Sequence, residues 1–187
     1  MEKIKVGISS CLLGNTVRYD GGHQQDRYIT DTLGQCFAWL PVCPEVEYGL
    51  GVPREAMHLV GAPESPRLVT IHTNVDHTEG MRAWAKKRLK YLEQEGLCGF
   101  IFKSRSPSSG MTGVVVHTPS GMPNGESVGI FADAFMKYFP DVPVIDDRLL
   151  HDPNSRETFI ERILTLSRSL PPCCLSPLFP SGHSCRP

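Results

Sequence analysis

The chain opens on a short apolar run, Ile4–Ser9, of the length of a buried strand. It passes into Ser9-Ser10-Cys11-Leu12-Leu13-Gly14, where small residues and a glycine mark a turn, so Cys11 is set at the C-terminal end of that strand. Over residues 26–40 the apolar positions Tyr28, Ile29, Leu33, Phe37 and Leu40 recur at helical spacing, with Asp26 as N-cap. Residues 40–46 read as a second strand carrying Cys43 and Glu45 near its far end, although Pro41 and Pro44 remove ladder donors. The Gly- and Pro-rich residues 49–66 predict a loop, and residues 67–73 alternate like a strand.

The clearest element is a helix over residues 78–95, where Met81, Trp84, Ala85, Leu89 and Leu92 form one stripe, basic residues take the other face and Gly96 ends it. Residues 98–103 follow as a buried strand and lead into a polar loop over 104–113. Val114–His117 reads as a hairpin arm, 121–125 as turn, 127–138 as a helix, 142–145 as an apolar strand, and 154–168 as a closing helix. Strands alternating with helices predict an α/β fold, a three-layer Rossmann-like sandwich whose mostly parallel central sheet is flanked by helices. Ligands of such sheets bind outside the carboxyl ends of the strands. Cys11, Cys43 with Glu45, and the loop after Lys103 all fall at such ends, so three segments remote in sequence are expected to converge on one pocket.

Composition adjusts this picture in a few places. A length of 187 residues fits one domain, expected over residues 1–168. Residues 169–187, rich in breakers and without periodicity, are expected to form a disordered tail. The net charge of -1 gives no global attraction to nucleic acid or membrane. Lys86, Lys87, Arg88 and Lys90 form a local basic cluster, read as a solvated helix face. There is no run of the roughly 18 apolar residues a membrane span needs, and no export signal precedes the first strand, so a cytoplasmic protein is expected. Seven cysteines at irregular spacing do not describe a disulfide framework and point instead to metal, cluster or redox chemistry.

By residue chemistry alone, Cys11 and Cys43 are candidate ligands without a spacing motif, while Cys36 and Cys98 read as core. A zinc site made of Cys11, Cys43 and a histidine such as His23 is a further option. Glu45 is a candidate general acid or base, or else a surface charge at a strand end. Ser104, Ser106, Ser108 and Ser109 around Arg105 offer hydroxyls and backbone donors for an anion or the polar edge of a heterocycle, with a flexible polar loop as the rival reading.

Five segments then carry a resemblance: Gly7-Ile8-Ser9-Ser10-Cys11-Leu12-Leu13-Gly14, Val17-Arg18-Tyr19-Asp20-Gly21-Gly22, Val42-Cys43-Pro44-Glu45-Val46, Gly49-Leu50-Gly51-Val52-Pro53-Arg54 and Phe102-Lys103-Ser104-Arg105-Ser106-Pro107-Ser108. Together, in this order, they resemble the family known as domain of unknown function 523, over residues 3–166. That family includes thiouracil desulfidases and relatives that act on thiolated uridine in transfer RNA, with a 4Fe-4S cluster held by three cysteines. Three thiolates leave one iron free to act as a Lewis acid and hold the departing sulfur while water supplies oxygen, with no net redox change.

The resemblance implies Cys11 and Cys43 as two ligands, Glu45 as the acid/base and Ser106 as the polar residue that positions or protonates the substrate. The chain departs from the family at the third ligand. Where members usually read Ser-Pro-Ser-Cys-Gly, this chain reads Ser106-Pro107-Ser108-Ser109-Gly110, which puts Ser109 at the ligand position. A serine oxygen binds iron only as a hard, basic alkoxide, so the outcomes are a labile serine-ligated cluster, recruitment of another cysteine such as Cys98, or loss of cluster and activity. The implied substrate is a thiolated pyrimidine, thiouracil or thiouridine. Charge favours a small molecule, with transfer RNA as the other carrier and the oligomeric state left open. The rival function is a cluster-free module that binds a nucleobase or small anion on the same fold.

Overall fold

In the computed structural model, which describes residues 3–169, two four-stranded sheets are built. The first has the order β2-β1-β5-β8, with every pairing parallel: β1 is Ile4–Ser9, β2 Phe37–Val42, β5 Phe100–Phe102 and β8 Val144–Asp146. Alternate side chains of β5 show why it is covered on both sides. Phe100 and Phe102 pack with α2 (Thr78–Gln94) and α3 (Ile130–Tyr138), while Ile101 packs with α4 (Pro153–Ser169). This is the three-layer α/β sandwich expected from the alternation of strands and helices. Gly7 at the centre of β1 is required by close approach, since a Cβ there would lie 2.3 Å from the Phe100 ring.

The second sheet was not anticipated. It joins the hairpin β3 (Met57–Val60) and β4 (Arg67–Thr70) to the hairpin β6 (Val114–His117) and β7 (Pro123–Ser127) through a parallel β3–β6 pairing. Its inner face, with Leu59, Leu68, Val114 and Val116, packs on Met81 and Ile130 near the starts of α2 and α3. β3 lies within the stretch 49–66 expected to be loop, because four residues between glycines and prolines give too short a pattern to stand out. β7 likewise occupies residues expected as turn and helix start, so α3 begins only at Ile130.

Residues 26–40 do not form one helix. A π-helical turn, Tyr28–Thr32, and a 3-10 turn, Leu33–Gln35, are followed directly by β2, which starts at Phe37. β-branched and glycine residues weaken the helix there, and the run Phe37-Ala38-Trp39-Leu40 gains more by pairing in register with β1. Asp26 still caps the turn, its Oδ1 accepting the N–H groups of Tyr28 at 2.9 Å and Ile29 at 3.4 Å. One consequence is that Cys36, expected in the core, is exposed, whereas Cys98 is buried as expected. β2 also ends earlier than expected. Pro44, lacking an N–H, opens the short helix α1 (Pro44–Tyr48), so Glu45 lies on a helical turn rather than a strand.

Among the described residues no helix is long and apolar enough to cross a membrane. The expected tail lies outside the described residues from position 170 onward.

Candidate active site

Three strand ends meet at one cleft of about 600 Å³, whose lining includes Cys11, Cys43, Glu45, Arg54, Ser106 and Ser109. At the end of β1 the chain turns through a 3-10 helix, Ser10–Leu13, closed by Gly14 at φ +90°. The Cys11 carbonyl accepts the N–H of Gly14 at 3.3 Å and of Gln24 at 3.0 Å, which folds the intervening loop back over the cleft. Burial pushes the Cys11 thiol up to about 11, against the opposing pull of the Lys103 and Arg18 charges.

Cys43 follows β2 and precedes the first turn of α1. Its N–H donates to Glu47 Oε1 at 3.0 Å, and Glu47 Oε2 pairs with Arg88 Nε of α2 at 2.9 Å. Arg88, read from sequence as part of a solvated basic face, therefore anchors the turn that presents Cys43. The Cys43 thiol lies 3.5 Å from Glu45 Oε2, and burial with this neighbouring carboxylate pushes it up to about 12.

Glu45 is held from two sides. Its Oε1 accepts the Ser108 hydroxyl at 2.5 Å, and its Oε2 stands 3.6 Å from Arg54. Arg54 is itself fixed by donating to Val17 O at 2.9 Å and, through its backbone N–H, to Tyr19 O at 2.8 Å.

The third strand end, that of β5, leads into the serine loop. Lys103 donates its N–H to Ser9 Oγ at 2.9 Å, which ties this loop to β1. Asp147, just past β8, pairs with Lys103 Nζ at 2.7 Å and accepts the Ser104 N–H at 2.7 Å. Ser106 Oγ accepts the Ser109 N–H at 3.1 Å, and the Ser108 carbonyl accepts the N–H groups of Phe131 at 2.8 Å and Ala132 at 3.1 Å from the start of α3. Gly129 lets the backbones approach, since a Cβ there would lie 2.6 Å from the Ser108 carbonyl carbon.

The expected convergence of Cys11, Cys43, Glu45, Ser106 and Ser109 on one cleft is thus what the fold produces. Cys98 is not among them. It is fully buried near the start of β5, its N–H donating to Lys5 O at the opposite end of the sheet, so its recruitment as a third ligand is ruled out by position. His23, whose Nδ1 accepts the Gln25 N–H, lines no part of the cleft. Among the described residues no group of three or more His, Cys, Asp or Glu side chains is assembled to hold a metal ion.

Two residues with a part in this geometry, Arg54 and Asp147, carry no role readable from sequence, whereas Ser108, expected as one of the ligand-facing hydroxyls of the serine loop, instead donates to Glu45. Arg54 lies in one of the family motifs. Asp147 had a positional signal alone, its place at the C-terminal end of a parallel strand.

A model of the 2-thiouracil desulfurase family matches residues 6–147, a span that contains every one of these side chains. Among solved structures, the 4Fe-4S-dependent thiouracil desulfidase TudS (DUF523Vcz) is similar, with a TM-score of 0.63 and 26% identity over 83% of this chain and 99% of that one. A comparison with curated proteins finds no match.

Proposed function

The chain belongs to the 2-thiouracil desulfurase family, and from that premise we propose that its cleft takes up a thiolated pyrimidine for conversion to uracil or uridine with release of sulfide, a reaction weakened here by Ser109. The observation that carries the reading is the arrival of Cys11, Cys43 with Glu45, and the serine loop at one cleft from three separate strand ends. Its volume of about 600 Å³ suits a small heterocyclic ligand. With a net charge of -1, the chain as a whole has no electrostatic bias toward transfer RNA, which favours a small-molecule substrate.

The donor set does not fit a fully ligated cluster of the kind on which TudS depends. The cleft offers two thiols, at Cys11 and Cys43, and at Ser109 a buried hydroxyl, and an alcohol surrenders its proton to iron far less readily than a thiol. In this reading Cys11 and Cys43 are the retained ligands and Ser109 occupies the third position. The Glu45 carboxylate takes a proton from water, and Ser106, held by the Ser109 N–H, meets the polar edge of the ring.

Anaerobic reconstitution with iron and sulfide tests this. The Ser109→Cys variant is expected to develop a broad absorbance at about 400 nm and to turn thiouracil over faster than the unaltered chain. If the variant takes up a cluster yet leaves thiouracil intact, the desulfidase reading falls.

One observation favours a second reading, a cluster-free binding module. Ser109 Oγ lies 3.4 Å from Ser108 Oγ, inside a hydroxyl network that needs no metal. Calorimetric titration of metal-free protein with uracil and thiouracil separates the two readings, because a module binds both without iron.

A further inference from the structure

No hydrogen bond joins Glu45 to Ser106, although both line the cleft; Ser108 stands between them. Its Oγ is 2.5 Å from Glu45 Oε1 and 3.1 Å from Ser106 Oγ. A hydroxyl carries one proton, and the separation from Glu45 is that of a charge-assisted O–H···O⁻ bond, so Ser108 donates its one O–H to Glu45. Ser108 Oγ is then an acceptor toward Ser106. Ser106 Oγ already accepts the Ser109 N–H at 3.1 Å, which leaves its own proton free to point at Ser108. The donors therefore run one way, from the Ser109 N–H through Ser106 and Ser108 to Glu45.

Ser108 is also the most constrained member of this series. It is fully buried, its carbonyl is tied to two N–H groups of α3, and Gly129 packs against its backbone. A hydroxyl so enclosed is shut off from bulk solvent, and a chain of such bonds polarises along its length.

We propose that Ser108 is a positioning residue that passes a proton between Glu45 and Ser106, so that the two cleft-facing groups work as one acid–base pair at two points on the substrate. The inference rests on the desulfidase reading. Its proton count closes. Glu45 gains a proton as an O–H bond of the attacking water breaks. With Glu45 protonated, the Ser108 and Ser106 hydroxyls turn, so that Glu45 donates to Ser108, Ser108 to Ser106 and Ser106 to the substrate, and the Ser106 O–H bond breaks as a substrate atom gains its hydrogen. The Ser108 proton moves to Ser106, and the Glu45 proton moves to Ser108, which restores the carboxylate. One proton passes from water to substrate, and nothing is oxidised or reduced.

Two measurements test the relay, the first on the unaltered chain free of metal. Proton NMR is expected to show a slowly exchanging hydroxyl resonance downfield of the amides. It is lost in Ser108→Ala and Glu45→Gln and moves upfield in Ser106→Ala. Absence of that resonance, or its survival in Ser108→Ala, overturns the proposal.

The second measurement is thiouracil turnover by the reconstituted Ser109→Cys variant in mixtures of light and heavy water. A relay gives a curved dependence on deuterium fraction. Adding Ser108→Ala makes the dependence linear and lowers kcat about 100-fold with KM unchanged, a pattern that a loss of packing does not produce. If curvature persists without Ser108, the relay is wrong although the desulfidase reading stands. If the Ser109→Cys variant has no turnover, the desulfidase reading falls, and the resonance alone decides whether the hydroxyl chain exists.

Discussion

Replacing Asp147 by Asn strikes the point where β8 and the serine loop are tied together. The Asp147 carboxylate accepts the Ser104 N–H at 2.7 Å and pairs with Lys103 Nζ at 2.7 Å, with side chains 16% and 18% exposed for the aspartate and lysine. Hydrogen bonds to charged groups contribute about 1.5–3 kcal/mol each. Asn keeps one acceptor oxygen and loses the charge, so the expected cost is about 2 kcal/mol at neutral pH. The pH dependence carries a sign. Burial alone would raise the Asp147 carboxyl, but the Lys103 ammonium and the Ser104 donors outweigh it and hold the group below the usual aspartate value.

The unfolded chain therefore binds this proton more readily than the folded one. The contribution is fully present above the unfolded value of about 3.9 and is lost as pH falls through the lower folded value. Urea unfolding of both chains at several pH values should show a gap of about 2 kcal/mol above roughly pH 5 that closes as the pH drops below about 4. A gap that stays constant with pH, or no gap at neutral pH, would mean that Asp147 does not tether the loop.

The remaining expectations are simpler. Gly129→Ala sets a methyl group within 2.6–2.8 Å of the Ser108 and Ser109 backbones, and should cost at least about 1–3 kcal/mol in thermal or chemical unfolding. An alanine that leaves stability unchanged would show that the approach of α3 to the loop is looser than described. Asp76→Ala removes the acceptor of the Thr78 N–H at 2.9 Å and of the Thr78 hydroxyl at 2.5 Å at the start of α2, for a loss of about 1 kcal/mol by the same assays.

The parts of the fold legible in the sequence are those whose signal is local. α2 was visible because Met81, Ala85, Leu89 and Leu92, all buried, recur along one face of seventeen uninterrupted residues. β1 and β5 were visible as apolar runs bounded by turn residues. Residues 26–40 misled because the outcome there was decided by pairing with β1, more than thirty residues earlier in the chain, which no local period reports. The second sheet escaped for a related reason, since β3 gains its place from β6, over fifty residues away.

The site divides along the same line. Cys11, Cys43 and the serine loop could be placed because parallel strands collect ligands at their carboxyl ends, and the family motifs named the same residues. Arg54 could not be assigned, and Ser108 could be read only as a ligand-facing hydroxyl, because what they do depends on distances to Glu45 that exist only in the folded chain. Cys36 and Cys98 show the limit of burial guesses from periodicity. The cysteine on the misread helix is exposed, and the one opening a true strand is buried.

Iron and acid-labile sulfide measured on protein purified and reconstituted without oxygen, then desalted, address the ligand assignment most directly when the unaltered chain is set beside Ser109→Cys. The variant is expected to retain both in equal amounts while the unaltered chain loses most of each. Equal retention by the two chains would mean that position 109 is not a ligand, and no retention by the variant would mean that Cys11 and Cys43 do not hold a cluster.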